Sequence, residues 1–167
     1  FWSIFAELLP PDTDFISRTP RAKDPVNRLL DIGYHHVTNI VRSFLNEREV
    51  PAALGLLHIA RTSNSAPLAY ALVELFRAAR VEAEVRRASR LKKKPHRPEN
   101  QNIRCFLHRL NDRLARPRYL KDFRQCHAYR YYMEVQMLKF MHAVNHRQVF
   151  EPMALPDRHD SRCLTPH

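Results

Sequence analysis

Glycine is nearly absent from this chain: 2 of 167 residues, against 12 prolines. A β-rich fold would lack its tight turns, so helices joined by proline-punctuated connections are the expectation. The same scarcity excludes a glycine-rich phosphate loop and a GxSxG nucleophile elbow. Cysteine is scarce too, and Cys105, Cys126 and Cys163 lie too far apart for a CxxC zinc finger. An odd, dispersed set without a secretory signal reads as reduced thiols in a cytoplasmic protein. Acids are in deficit, 17 against 28 Lys and Arg, for a net charge of +11. No apolar run is long enough to cross a bilayer, because charges interrupt each one. Such a balance says little about fold and much about partners. A polyanion comes first, although a basic ribosomal or membrane-surface protein would look similar.

What is present is an ordinary apolar content of 44% in a length suited to one domain. The chain opens on Phe1 and Trp2 with Ile4, Phe5, Leu8 and Leu9, an amphipathic helix end stopped by Pro10-Pro11; it reads as a fragment whose first helix was cut midway. Asp24-Pro25 is a strong helix start, with aspartate as N-cap and proline at the first helical position. Val26, Leu29, Leu30, Gly33, Val37, Ile40, Val41 and Phe44 follow at helical spacing. Gly33 falls on that apolar face, where a bare backbone lets another helix approach closely. Pro51 begins a connection through Gly55 to His58, and a turn at 62–65 precedes a helix from near Pro67 to about Arg90. A basic loop, a helix over Glu99 to Leu114 and a long final helix over Leu120 to Val144 complete the pattern. The expectation is an all-α fold: a single helical domain of about five helices over 1–150, with a basic irregular tail over 151–167.

Chemistry concentrates in two places. The segment Leu54-Gly55-Leu56-Leu57-His58 puts one histidine at the end of a short apolar stretch. The helix after Pro67 then carries one acid, Glu74, among apolar neighbours. An imidazole and a carboxylate that converge can share a divalent cation, and such an ion can activate water or a sugar hydroxyl and stabilise charge on phosphate. The imidazole tilts the choice from all-oxygen magnesium shells toward manganese. The plain alternative is a capped turn histidine and a solvent-facing glutamate. His142 and His146 at i, i+4 read as solvated helix histidines. The second concentration is basic: Arg77, Arg80, Arg86, Arg87, Arg90, Lys92, Lys93, Lys94 and Arg97 form a cluster suited to DNA phosphates, continued by Arg104, Arg109, Arg113, Arg116 and Arg118. Tyr129, Tyr131 and Tyr132 with Arg130 add groups able to stack. A merely solvated charged face is the alternative.

The segments Ile16-Ser17-Arg18-Thr19 and Asp24-Pro25-Val26-Asn27-Arg28-Leu29-Leu30-Asp31-Ile32-Gly33-Tyr34 resemble the opening of a known catalytic helical domain. It is that of the CRISPR-associated spacer-acquisition integrases, the first-numbered Cas protein. Gly55-Leu56-Leu57-His58 resembles their catalytic-histidine motif, and Pro67-Leu68-Ala69 through Glu74-Leu75-Phe76-Arg77 the acidic helix after it. The likeness covers roughly residues 1–80. It implies metal-dependent attack of a DNA 3′-hydroxyl on a repeat phosphodiester, with Mg2+ or Mn2+, inserting a short foreign fragment into a CRISPR array. The same centre would cut branched DNA. His58 and Glu74 match two of the family's three metal ligands, and both would be catalytic. The third, a glutamate, would lie in a helix before Phe1, and the additional family aspartate three residues before the last acid is Ala71 here. The fragment alone is therefore expected to be inactive, and the intact protein active.

The resemblance implies as partners double-stranded DNA with 3′ ends, a second copy of the chain, and the small second adaptation protein of CRISPR systems. A different class of function is a non-catalytic, degenerate DNA-binding or assembly module of the same family, which Ala71 favours. A transposon-borne relative would carry the same chemistry.

Overall fold

A computed structural model describes residues 1–52, 66–90, 99–154 and 163. It contains helices α1 (Trp2–Glu7), α2 (Pro25–Asn46), α3 (Pro67–Val73), α4 (Ala83–Arg90), α5 (Glu99–Ala115) and α6 (Tyr129–Asn145), with strands β1 (Pro117–Leu120) and β2 (Gln125–Ala128). The fold is helical as expected, with one two-stranded ladder among the described residues. The chain forms two compact units, Phe1–Leu110 and Asn111–His167.

In the first unit α2 begins where the sequence indicates. Asp24 accepts a hydrogen bond from the Asn27 N–H at 2.9 Å, and Pro25 occupies the first turn. Its apolar face is buried through Val26, Leu30, Val37, Val41, Phe44 and Leu45. Asn27, 2% exposed, ties the preceding loop to the helix. Its amide donates to the Ser17 carbonyl (3.0 Å) and to Asp24 (2.8 Å), and its oxygen accepts from the Thr19 N–H (2.9 Å) and Arg18 (3.1 Å). Trp2, Phe5 and Phe15 pack edge to face where α1 meets that loop.

The helix anticipated from Pro67 to Arg90 is interrupted. α3 stops at Val73, residues 74–76 turn, and Ala78–Glu82 form a π-helical turn that leads into α4. The wider turn changes which side chains face inward, so that Phe76, Arg80, Val81 and Glu82 are all buried. No proline or glycine marks the break. Gly33 receives this segment: a Cβ there would stand 2.5 Å from Val81 Cγ1 and 3.3 Å from the Phe106 ring. The bare backbone therefore admits the π turn and α5 together.

The second unit departs from the expected long helix over Leu120–Val144. After the end of α5 a hairpin forms, with Pro117 paired to Ala128 and Leu120 to Gln125, and the helix begins only at Tyr129. The hairpin turns with Arg124 in the left-handed region (φ 53), a place that glycine usually marks in a sequence. On α6, Tyr129, Tyr132, Met133, Gln136 and Met137 are buried. The Gln136 amide pairs with both main-chain groups of Met153, accepting from its N–H at 3.0 Å and donating to its carbonyl at 3.3 Å. The reading of three reduced thiols is also corrected: Cys126 on β2 is joined to Cys163, and Cys105 is the free cysteine. The partners stand 37 positions apart, and folding brings them together where spacing gives no hint.

Candidate active site

One face of α2 and the end of α3 enclose a cleft of about 340 Å³. Tyr34, Thr38 and Arg42, at successive i, i+4 positions, form one wall with His35; Tyr70, Val73, Glu74 and Arg77 form the other. Glu74 stands where α3 ends, its side chain 46% exposed. Arg77 reaches back one turn, its Nε 2.8 Å from Glu74 Oε2. The same Nε lies 3.8 Å from Glu82 Oε1, on a side chain only 3% exposed. Tyr34 completes the group, its hydroxyl donating to Glu82 Oε1 at 2.8 Å. The Arg77 guanidinium carbon sits 6.0 Å from the Tyr34 ring centre and 5.8 Å from that of Trp2. Arg18, ion-paired with Asp31, lies 5.4 Å from the other partner of this network, the Tyr34 ring.

Burial dominates the acid–base character of this group. It raises the Glu82 carboxyl above its ordinary range, while the Tyr34 hydrogen bond and the Arg77 charge pull it back. Burial first, and donation to Glu82 second, push the Tyr34 phenol well above its ordinary value, so the hydroxyl remains a donor. Glu74 and Glu82 thus differ in kind. Glu82 is enclosed and hydrogen-bonded, whereas Glu74 offers a hard oxygen at an open cleft.

Glu74 offers a divalent cation a single ligand: its carboxylate is accessible, 46% exposed, with Arg77 as its ion-pair partner. Among the described residues no group of three His, Cys, Asp or Glu stands close enough to complete a metal shell. His58 lies outside the described residues, as do Lys92, Lys93, Lys94 and Arg97. Of the remaining basic positions, Arg87 and Arg90 are exposed on α4 and Arg86 is half-buried. Arg80 stands apart from the rest of the cluster, because the π turn places it in the interior, 6% exposed. Arg77 is committed to carboxylates. Tyr34, Thr38, Arg42 and Glu82 were not singled out by sequence; the i, i+4 spacing on α2 could have grouped the first three, but nothing in the sequence announces the turn that aims Glu82 at Tyr34.

The sequence profile described as CRISPR associated protein Cas1 matches residues 1–123. The chain belongs to the Cas1 family. Its fold is similar to that of a Cas1 protein from Thermotoga maritima, with a TM-score of 0.77 and 20% identity over 89% of this chain and 50% of that one. It is also similar to a casposase bound to integration product, with a TM-score of 0.74 and 20% identity over 96% of this chain and 50% of the other. This Cas1-family chain therefore spans about half the length of the two structures. None of the curated proteins matches it in sequence. Among its described residues no helix is long and apolar enough to cross a membrane.

Proposed function

We propose that this chain is the helical catalytic-type region of a DNA integrase of CRISPR adaptation, which joins short DNA fragments to a CRISPR array by phosphoryl transfer. The observation that carries the reading is the exposed Glu74 carboxylate in the α2–α3 cleft of a chain matched to Cas1 over residues 1–123. In this reading Glu74 and His58 are ligands of Mg2+ or Mn2+. The bound ion would supply charge stabilisation at a phosphate and a more acidic 3′-hydroxyl. Glu74 offers its carboxylate oxygens, Arg77 holds that carboxylate until it is needed, and Tyr34 and Glu82 fix Arg77. Arg86, Arg87, Arg90, Lys92, Lys93, Lys94 and Arg97 bind the DNA backbone. The partners are double-stranded DNA with 3′ ends, a second copy of the chain and the small second adaptation protein. Two donors fall short of the three ligands that the family resemblance implies, so residues 1–167 alone should bind DNA without joining it.

The deciding experiment is strand transfer by the full-length protein, using a short duplex with free 3′-hydroxyls and a plasmid carrying the repeat. Joined product is expected with Mg2+ or Mn2+ and not with chelator. His58→Ala and Glu74→Gln should each abolish it while DNA binding persists. Undiminished joining by both variants would sink the assignment. Ala71, buried at 6% exposure one turn before Glu74, favours a second reading as a non-catalytic DNA-binding module. That reading is the one left standing if the full-length protein binds DNA and joins none under any metal.

A further inference from the structure

The hairpin of the second unit carries a ring cluster that the α2–α3 cleft does not explain. His127 on β2 and Tyr131 in the first turn of α6 are stacked, their centroids 4.4 Å apart and their planes 28° from parallel. Phe123, in the hairpin turn, stands edge-on to both, at 6.2 and 5.9 Å. Phe123 is 39% exposed and Tyr131 37% exposed, although neighbouring Leu120, Tyr129 and Tyr132 are almost wholly buried. The unit thus has its own aromatic core, and these rings are surplus to it. Leaving ring surface in water is unfavourable in proportion to its area. Charge accompanies the rings. Arg124 at the turn and Arg130 beside Tyr131 are both exposed. From Arg116 to Tyr131 the sequence has Arg116, Arg118, Lys121, Arg124 and Arg130 against the single acid Asp122.

We propose that Phe123, His127 and Tyr131 form a stacking platform for the unpaired bases of single-stranded DNA, with Arg124 and Arg130 on the flanking phosphates. The proposal rests on the reading of this protein as one that handles DNA. Every base has a flat face, so an aromatic platform binds without regard to sequence. His127 and Tyr131 already form a two-ring pile, and a base on the solvent side of Tyr131 extends it by one layer. Bases inside a duplex have both faces covered by their neighbours. The platform therefore distinguishes a single strand from a duplex, which arginines alone do not do.

Anisotropy titrations of the intact chain with labelled oligothymidine and with a blunt duplex test this. Phe123→Ala and Tyr131→Ala should weaken single-strand binding by roughly 5- to 150-fold per stacked base lost. Duplex binding and the salt dependence should stay as they were, and Tyr131→Phe should keep the affinity. Arg124→Gln and Arg130→Gln should weaken both ligands and reduce the single-strand salt slope by about 0.7 each. Trp2 is the sole tryptophan. A Tyr131→Trp change in a Trp2→Phe background therefore adds a reporter, whose fluorescence should be quenched in step with oligothymidine binding. Single-strand binding that ignores both ring variants, or a reporter that does not respond to bound oligothymidine, overturns the platform and leaves the integrase reading intact. So does an equal loss on duplex and single strand, or tighter capture of single-stranded RNA than of DNA. A chain that binds no DNA of either form overturns the integrase reading itself.

Discussion

Arg77 stands between two carboxylates with different surroundings, and the contrast between Glu74 and Glu82 organises the cleft. Because burial raises the Glu82 carboxyl, the folded chain holds that proton more tightly than the unfolded one. The stabilisation is complete below the ordinary value of 4.5 and is lost as pH rises through the raised value. Above it the fold carries an enclosed charge. Glu82→Gln keeps an acceptor for the Tyr34 hydroxyl and removes that charge, so melting temperatures from about pH 4 to about pH 8 should depend less on pH than in the parent chain. Gly33 is a second residue whose neighbours decide its role. Gly33→Ala gains about 1 kcal/mol of helix propensity but forces a methyl onto Val81, an overpacking that costs about 1–3 kcal/mol. Urea unfolding should show a net loss. Val81→Ala in the same chain should recover part of it, a coupling that a double-mutant cycle measures directly.

Two helices end in the same way although the chain has almost no glycine. After α2, Glu49 adopts φ 55 and the Val50 N–H bonds to the Leu45 carbonyl. After α6, Arg147 adopts φ 53 and the Gln148 N–H bonds to the Ala143 carbonyl. A left-handed backbone costs an L residue roughly 1–2 kcal/mol that glycine avoids, partly offset by glycine's freer unfolded chain. Arg147→Gly should therefore raise the unfolding free energy by up to about 1 kcal/mol in a denaturant titration. The start of α2 asks for the opposite change. Asp24→Ala removes an N-cap and should cost about 0.5–2 kcal/mol. These elements also mark what can be read from sequence. α2 was legible from its first residue to its last turn, because the cap, the proline and a long apolar period agree. The break after Val73 was not, since Glu74 to Arg77 are sound helix formers and only tertiary packing selects the π turn. The hairpin was hidden for a related reason: Arg124 fills a position where one looks for glycine, and apolar residues in the following helix drew the period back through it. At the site, Glu74 was legible and its partners were not. Arg77 follows it by one turn, but Tyr34 and Glu82 meet only through the packing of α2 on the π turn.

For the molecule as a whole, a charge of +11 makes any DNA affinity strongly dependent on salt. If about 6–10 phosphates are neutralised, affinity should fall by roughly 10³–10⁵ between about 50 and 200 mM salt, for duplexes of any sequence. Alkylation without reductant followed by mass spectrometry should label Cys105 and spare Cys126 and Cys163. Reduction should then lower the stability of the chain by about 3–4 kcal/mol on the loop-entropy account. The end of the chain has a second anchor, of a different kind. Gln136 presents to Met153 the same donor and acceptor that a neighbouring strand would present, so a side chain stands in for a peptide group. Such a grip reads main chain and ignores what the tail spells. Met153 adds a buried apolar side chain to that seat, whereas the exposed Glu151, Pro152 and Ala154 are free to change in evolution at little cost. Gln136 is not: replacing one amide nitrogen by oxygen, as in Gln136→Glu, would set two acceptors against each other and let the tail go.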